Sequence, residues 1–321
     1  RTGAAAVQYL REISQRRGIL LMPFIGFLSG RAMLFGQPCP FGPAFFVLTV
    51  LAFPEVALPV FAAVSLGTLS VSRLQFWVWL CGGSLVWYLL RQKPRAFRKF
   101  SPALTASFSL ATAYGLVSLA QLYVLGQTVT WTWVAAYIIL LHITVYLVTP
   151  LSSVRELHLG EWLSTDQIVG LLIVSASSFL GIAGIRLGTW NWQIGLSMLA
   201  VLVICSQWNT GVAAVSSLCL GALTLGFSTS LPLAMGTFGL IGIGTSIGGR
   251  YGKAGTAVGF AASNLLISMS IPDVSALQTW WLHAGAALAA FLLIPYGVIA
   301  GWAVYLPGAK VMEHRQNSAE A

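Results

Sequence analysis

The side chains that could do chemistry are few and scattered. His142, His158, His283 and His314 are dispersed. None has a second His or a Cys three or four residues away, the spacing that sets two metal ligands on one helical face. Cys39, Cys81, Cys205 and Cys219 lie far apart inside apolar stretches, without C-x-x-C spacing, and read as small core or lipid-facing residues. Asp166 and Asp273 are the only aspartates, each near the edge of an apolar run, so no Ser-His-Asp arrangement can be argued. The glycines between Gly236 and Gly252 follow no strand and carry no G-K-[ST], which speaks against a phosphate-cradling loop. His142 reads as a partner in an interhelical hydrogen bond rather than a proton relay, and Ser263 and Asn264 as polar glue between helices rather than ligands. The expectation is a chain with no catalytic, cofactor-binding or metal-binding residues of its own.

The elements that would hold such residues point the same way. Of 321 residues, 57% are hydrophobic and 8% charged, with a mean hydropathy of +0.83, whereas about 25% of a soluble domain is charged. A water-soluble enzyme is excluded, and eight acidic residues leave little material for a carboxylate-rich metal site. The formal charge of +9 does not mark a nucleic-acid surface. Its basic residues fall between apolar runs of spanning length, as on the cytoplasmic face of a membrane protein.

Most of the charge sits in five windows, residues 1–17, 91–99, 155–166, 250–253 and 310–320. Between them run twelve apolar segments, at 19–35, 41–53, 57–72, 74–90, 103–125, 129–149, 167–187, 190–206, 209–227, 231–248, 254–271 and 279–305. A helix needs roughly 20 residues to cross the hydrocarbon, so the pair 41–53 and 57–72, interrupted by Pro54 and Pro59, is short enough for half-helices. The fold expected is all-α, a polytopic transmembrane bundle of ten to twelve spans. Counting crossings puts every Lys and Arg except Arg31, Arg73 and Arg186 on one face, with both termini cytoplasmic. Trp131, Trp133, Trp280 and Trp281 then begin segments at the opposite face, where an aromatic belt lies.

The landmarks Phe27-Leu28 and Phe179-Leu180, Arg31 and Arg186, Ala62 to Ser65 and Ala213 to Ser216, and Thr130-Trp131 and Thr279-Trp280 recur in order about 150 positions apart. They are compatible with a parallel six-plus-six repeat about an axis along the membrane normal. Gly26 with Gly30, Gly244 with Gly248 and Gly255 with Gly259 have helix-packing spacing. Residues 1–18 read as a basic interfacial segment, 19–305 as the transmembrane helical domain and 306–321 as the start of a cytoplasmic linker. Pro307-Gly308 is expected to end the last helix, and without an initiator Met the chain reads as part of a longer product.

Gly26-Phe27-Leu28-Ser29-Gly30-Arg31-Ala32-Met33-Leu34-Phe35, followed by Pro40-Phe41-Gly42-Pro43-Ala44-Phe45-Phe46, resembles the opening of the membrane region of the stage II sporulation protein E family. Leu180 to Gly184, Lys253-Ala254 to Leu266-Ile267-Ser268, and Tyr305-Leu306-Pro307-Gly308 with Glu313-His314 extend the resemblance over nearly the whole chain. It implies a membrane protein of endospore-forming bacteria, of about ten spans, that continues into a metal-dependent serine phosphatase of the PP2C type. Such a phosphatase uses manganese or magnesium. It acts on an anti-anti-sigma factor, releases a forespore sigma factor, and associates with the cell-division ring protein at the polar septum. The family's metal-binding aspartates have no counterparts among these residues.

The reading is an anchoring and positioning domain, open to homo-oligomerisation, with anionic lipids near Arg91, Lys93, Arg95, Arg98 and Lys99 and no nucleic-acid partner. Its rival is a secondary transporter or permease for a neutral substrate. The possible repeat and the many glycines favour that rival, and the lack of mid-membrane charge speaks against ion coupling.

Overall fold

The computed structural model describes residues 21–34, 37–92, 100–125, 131–156, 164–224, 231–271, 273–295 and 297–299. Among them the chain is all-α apart from two minimal hairpins. Residues 21–31 form α1, followed by α2 (Phe41–Ala52), α3 (Ala57–Leu69), α4 (Arg73–Gln92), α5 (Pro102–Leu125), α6 (Trp131–Val148) and α7 (Thr165–Gly181). Then come α8 (Trp192–Gln207), α9 (Thr210–Thr224), α10 (Leu231–Gly248), α11 (Gly252–Ser268) and α12 (Val274–Leu293). Each apolar segment of the sequence holds one of these helices. The short pair is α2 and α3, divided by a 3-10 turn at Pro54–Val56, where Pro54 lacks the N–H that would continue α2.

Two findings differ from the sequence expectation. The segment 279–305 is not one helix to its end. It begins earlier, at Val274, and stops at Leu293, because Pro295 withholds a donor and holds Ile294 extended at ψ 122°. The expected break at Pro307-Gly308 lies outside the described residues. In addition, the ends of segments 19–35 and 167–187 are strand. β1 (Met33–Leu34) pairs antiparallel with β2 (Gln37–Pro38), and β3 (Arg186–Leu187) pairs with β4 (Trp190–Asn191). The same offset separates Met33 from Arg186 and Pro38 from Asn191.

The chain forms two compact units, divided after Gly181. In the first, α2 is buried on nearly all sides and touches α3, α4 and α6. Around it Phe46, Phe61, Trp79 and Trp87 interlock, with Phe46 and Trp79 edge-to-face at 5.2 Å. The α1 helix lies on α3 through Gly26 and Gly30. A Cβ at Gly30 would come within 2.7 Å of the Val64 carbonyl oxygen. In the second unit α8 is the central helix and touches α9, α10, α11 and α12. There α10 and α11 meet along Gly244, Gly248, Gly255 and Gly259, where any added Cβ would strike the facing helix. The glycine-rich stretch read as packing is helix as far as Gly248 and then a 3-10 turn at Gly249–Tyr251.

Two described helical stretches are long and apolar enough to cross a bilayer, Val134–Ser153 and Val274–Leu293.

Candidate functional site

Many polar side chains of both units are buried. Ser29, Thr49, Gln75, Ser109 and Thr144 are buried in the first, and Gln193, Ser197, Gln207, Ser217, Thr245, Thr256, Asn264 and His283 in the second. Meanwhile Leu58, Leu66, Leu116, Ile139 and Leu172, then Leu233, Leu240, Val258, Leu266 and Leu292, stand exposed. A water-soluble bundle keeps fewer polar groups inside and fewer large apolar side chains outside.

Most of the hydroxyls turned inward are satisfied by a carbonyl of their own helix, such as Thr144 to Leu140, Ser109 to Thr105 and Ser217 to Ala213. A smaller set ties helices together. Ser29 and Ser177 share a hydrogen bond at 3.1 Å, and Arg31 donates from Nε to the Gly181 carbonyl and from Nη1 to Ser70. Gln75 donates to the Tyr114 hydroxyl at 3.1 Å, and Trp79 Nε1 to Ser65 at 2.9 Å.

The sequence candidates fall as follows. His142 Nδ1 lies 3.1 Å from the Ser107 hydroxyl, an α5–α6 tie of the kind expected. Asn264 Oδ1 accepts from Trp280 Nε1 at 3.0 Å, joining α11 to α12, while Ser263 donates to the Gly259 carbonyl of its own helix. Cys39, Cys81, Cys205 and Cys219 form no disulfide among the described residues, and Cys205 Sγ donates to the Gly242 carbonyl at 3.3 Å. His158 and His314 lie outside the described residues, as do Lys93, Arg95, Arg98 and Lys99; Arg91 ends α4 exposed. Among the described residues no group of three His, Cys, Asp or Glu could hold a metal ion.

The densest polar knot is one the sequence did not single out. His283 of α12 is 1% exposed. Its Nε2 accepts the backbone N–H of Asn191 at 2.8 Å, so the ring hydrogen sits on Nδ1 and points to the Thr279 carbonyl at 2.6 Å. Trp190 stacks on the ring at 4.6 Å. Asn191 is also the N-cap of α8, its side chain accepting from Gln193 N. Beside the knot lies a cleft of about 270 Å³ lined by Ile194, Ser275, Ala276, Thr279, Trp280 and His283. With both ring nitrogens engaged, this histidine orients the hairpin against α12. A signal for it did exist, since His283 follows Thr279 by one helical turn and Trp280 by three residues. What could not be read was the hairpin that faces it. At the head of α12, the Ser275 hydroxyl and then the amides of Ala276 and Ser275 hold the Asp273 carboxyl below the usual carboxylate range.

The arrangement defines a class first: a helical domain whose polar groups tie its own helices together and whose outward faces are apolar. Residues 2–303 match the family described as the SpoIIE N-terminal domain, and the chain belongs to it. Stage II sporulation protein E of Bacillus subtilis (strain 168) is 27% identical over 314 residues, which cover 92% of this chain and 36% of that protein. The chain thus spans about a third of the length of the curated relative it matches. No solved structure matches.

Proposed function

We propose that this chain is the multi-pass membrane domain that anchors and positions a sporulation serine phosphatase. The observation that carries the reading is where polarity sits: Gln75, Gln193, Gln207, Asn264 and His283 are buried while leucines and isoleucines on the helices around them are exposed. Water would penalise that surface, and hydrocarbon would not. Family membership supplies the rest. By likeness to stage II sporulation protein E, the chain sits in the cell membrane at the polar septum, and the Lys and Arg pattern puts both termini in the cytoplasm. Its downstream region dephosphorylates an anti-anti-sigma factor and meets the division ring. Manganese or magnesium belongs to that phosphatase region, to which no residue here corresponds. Anionic lipids gather at Arg91 and the basic residues after it, and a second copy of the chain is a further partner.

Ten to twelve crossings remain the topology proposed, with a six-plus-six repeat. Its support is the shared order of hairpin, central helix and four following helices in the two units. Reporters fused after Lys99, Lys253 and Ala321 should all score as cytoplasmic, and an external signal at Lys253 would overturn the four crossings between residues 167 and 248.

A carrier for a neutral substrate is the second reading. The observation in its favour is the shared order of elements in the two units, since many carriers are built from internal repeats. A deletion of residues 1–305 separates the readings. The anchor predicts a soluble, active phosphatase that has lost septal enrichment.

A further inference from the structure

Lys253 stands in the first turn of α11, the positive end of its own helix dipole, where a cation is disfavoured. Its position is explained by the neighbouring helix. The turn Gly249–Tyr251 and Gly252, whose φ of +77° suits glycine, bring Lys253 beside the end of α12. There Nζ donates to the carbonyls of Leu292 and Ile294, both at 2.7 Å, and lies 5.5 Å from the centre of the Phe291 ring.

Both carbonyls lie at the C-terminal end of α12, where a helix runs out of its own donors, and the sequence shows why it ends there. Pro295 has no N–H for the Phe291 carbonyl four residues back and holds Ile294 out of the helix, so α12 ends here and its last carbonyls turn to donors from elsewhere. An ammonium carries three donors and the charge that the negative end of a helix dipole favours. Beyond the break the chain turns again, with Val298 N donating to the Pro295 carbonyl.

We propose that Lys253 is a positioning residue, a clamp that locks the broken end of α12 to the α10–α11 pair and so sets the direction in which the chain leaves the second unit. The α10–α11 pair is suited to this, because its backbones touch at Gly248 and Gly255 and cannot slide without separating. A shift of that pair is passed to residues 295–299 through Nζ. The value of a fixed exit rests on the anchor reading, since it matters most if a phosphatase follows. The clamp itself does not depend on that reading.

The test is amide hydrogen exchange of residues 291–299 in the full chain, held in lipid nanodiscs. Lys253→Met, which keeps the stem and removes the donors, should raise exchange there at least about tenfold while α11 and the first turns of α12 keep theirs. Lys253→Arg should restore most of the protection. Pro295→Ala gives residue 295 an N–H and lets α12 continue, so in that background Lys253→Met should have little effect. Unchanged exchange in Lys253→Met overturns the clamp. So does loosening spread over the whole of α11 and α12, or an equal effect with and without Pro295. Failure of the cytoplasmic reporters alongside intact exchange results would sink the anchor reading and leave the clamp standing.

Discussion

The two units combine rings and glycine contacts, but each leans on one of them at its centre. The first fills its centre with large rings, Phe46, Phe61, Trp79 and Trp87, and orients one of them by a hydrogen bond to Ser65. The second removes side chains, so that the α10 and α11 backbones meet at Gly248 and Gly255, and α9 and α10 meet where Gly221 faces the Ala234 carbonyl. Hydrocarbon outside a bundle gives helices no hydrophobic reason to associate, so dispersion contacts and interior hydrogen bonds must do it. Volume added between helices and volume taken away both serve that end. They fail differently: a ring core tolerates small losses and suffers from cavities, whereas a glycine seam tolerates no gain at all.

The largest effect is expected from Trp79→Ala, which empties a site only 2% exposed and removes the donor to Ser65, whose hydroxyl keeps its bond to the Phe61 carbonyl. Large-to-small aromatic losses cost about 3–5 kcal/mol, and exchange mapping should show α2, α3 and α4 opening while α8 to α12 stay protected. Loss of protection in both units together would mean that the comparison is false and that they fold as one.

Gly248→Val should come next, at about 1–3 kcal/mol from overpacking, confined to the second unit. Gly236→Val is the control, because a Cβ there meets nothing within 4 Å. Thermal unfolding in micelles should separate the two variants clearly. Equal melting temperatures would show that the seam is slack.

Much of this contrast was legible from residue types. The apolar runs located the helices, and the four-residue glycine spacing of Gly244, Gly248, Gly255 and Gly259 announced a close approach. Pattern alone could not supply the partner of each face. Arg31 and Arg186, read as equivalent landmarks, do different things: Arg31 ties α1 to the ends of α3 and α7, while Arg186 is an exposed strand residue. The hairpins were hidden because each is only two residues long per strand and continues an apolar run. His283 was passed over because its partner, the Asn191 amide, is a backbone group far away in sequence. The end of α12 was misjudged because Pro295 stands inside a stretch that hydropathy treats as uninterrupted.

Interior ties should cost less than packing. His142→Ala removes a side chain to side chain bond in the first unit. His283→Ala removes the acceptor of a backbone N–H in the second and uncovers Trp190. Interhelical hydrogen bonds in membranes average about 0.6 kcal/mol and reach about 1.7, so His142→Ala should fall at the lower figure and His283→Ala at or above the upper one. A double-mutant cycle of Ser107 with His142 measures the first tie. The reverse order of costs would place the tighter polar fastening in the first unit.

The smallest difference concerns helix starts, and it depends on pH. In the first unit α5 is begun by Ser101, a neutral cap whose hydroxyl accepts from Leu104 N at 3.2 Å. In the second, α12 is begun by Asp273, an exposed carboxylate fastened by the Ser275 hydroxyl and by the amides of Ser275 and Ala276. Those bonds favour the charged form, so the carboxyl is more acidic folded than unfolded. The sign follows: its contribution is complete above the ordinary carboxylate value near 3.9 and is lost as pH falls through the lowered one. Acid titration of the labelled chain should therefore move the Ser275 and Ala276 amide resonances below about pH 4 and leave Leu104 still. Asp273→Asn, which keeps a capping oxygen without a proton to gain, should abolish the shift and preserve the helix start. Movement of the Leu104 resonance over the same range would show that acid loosens both units, and that the cap is not what distinguishes them.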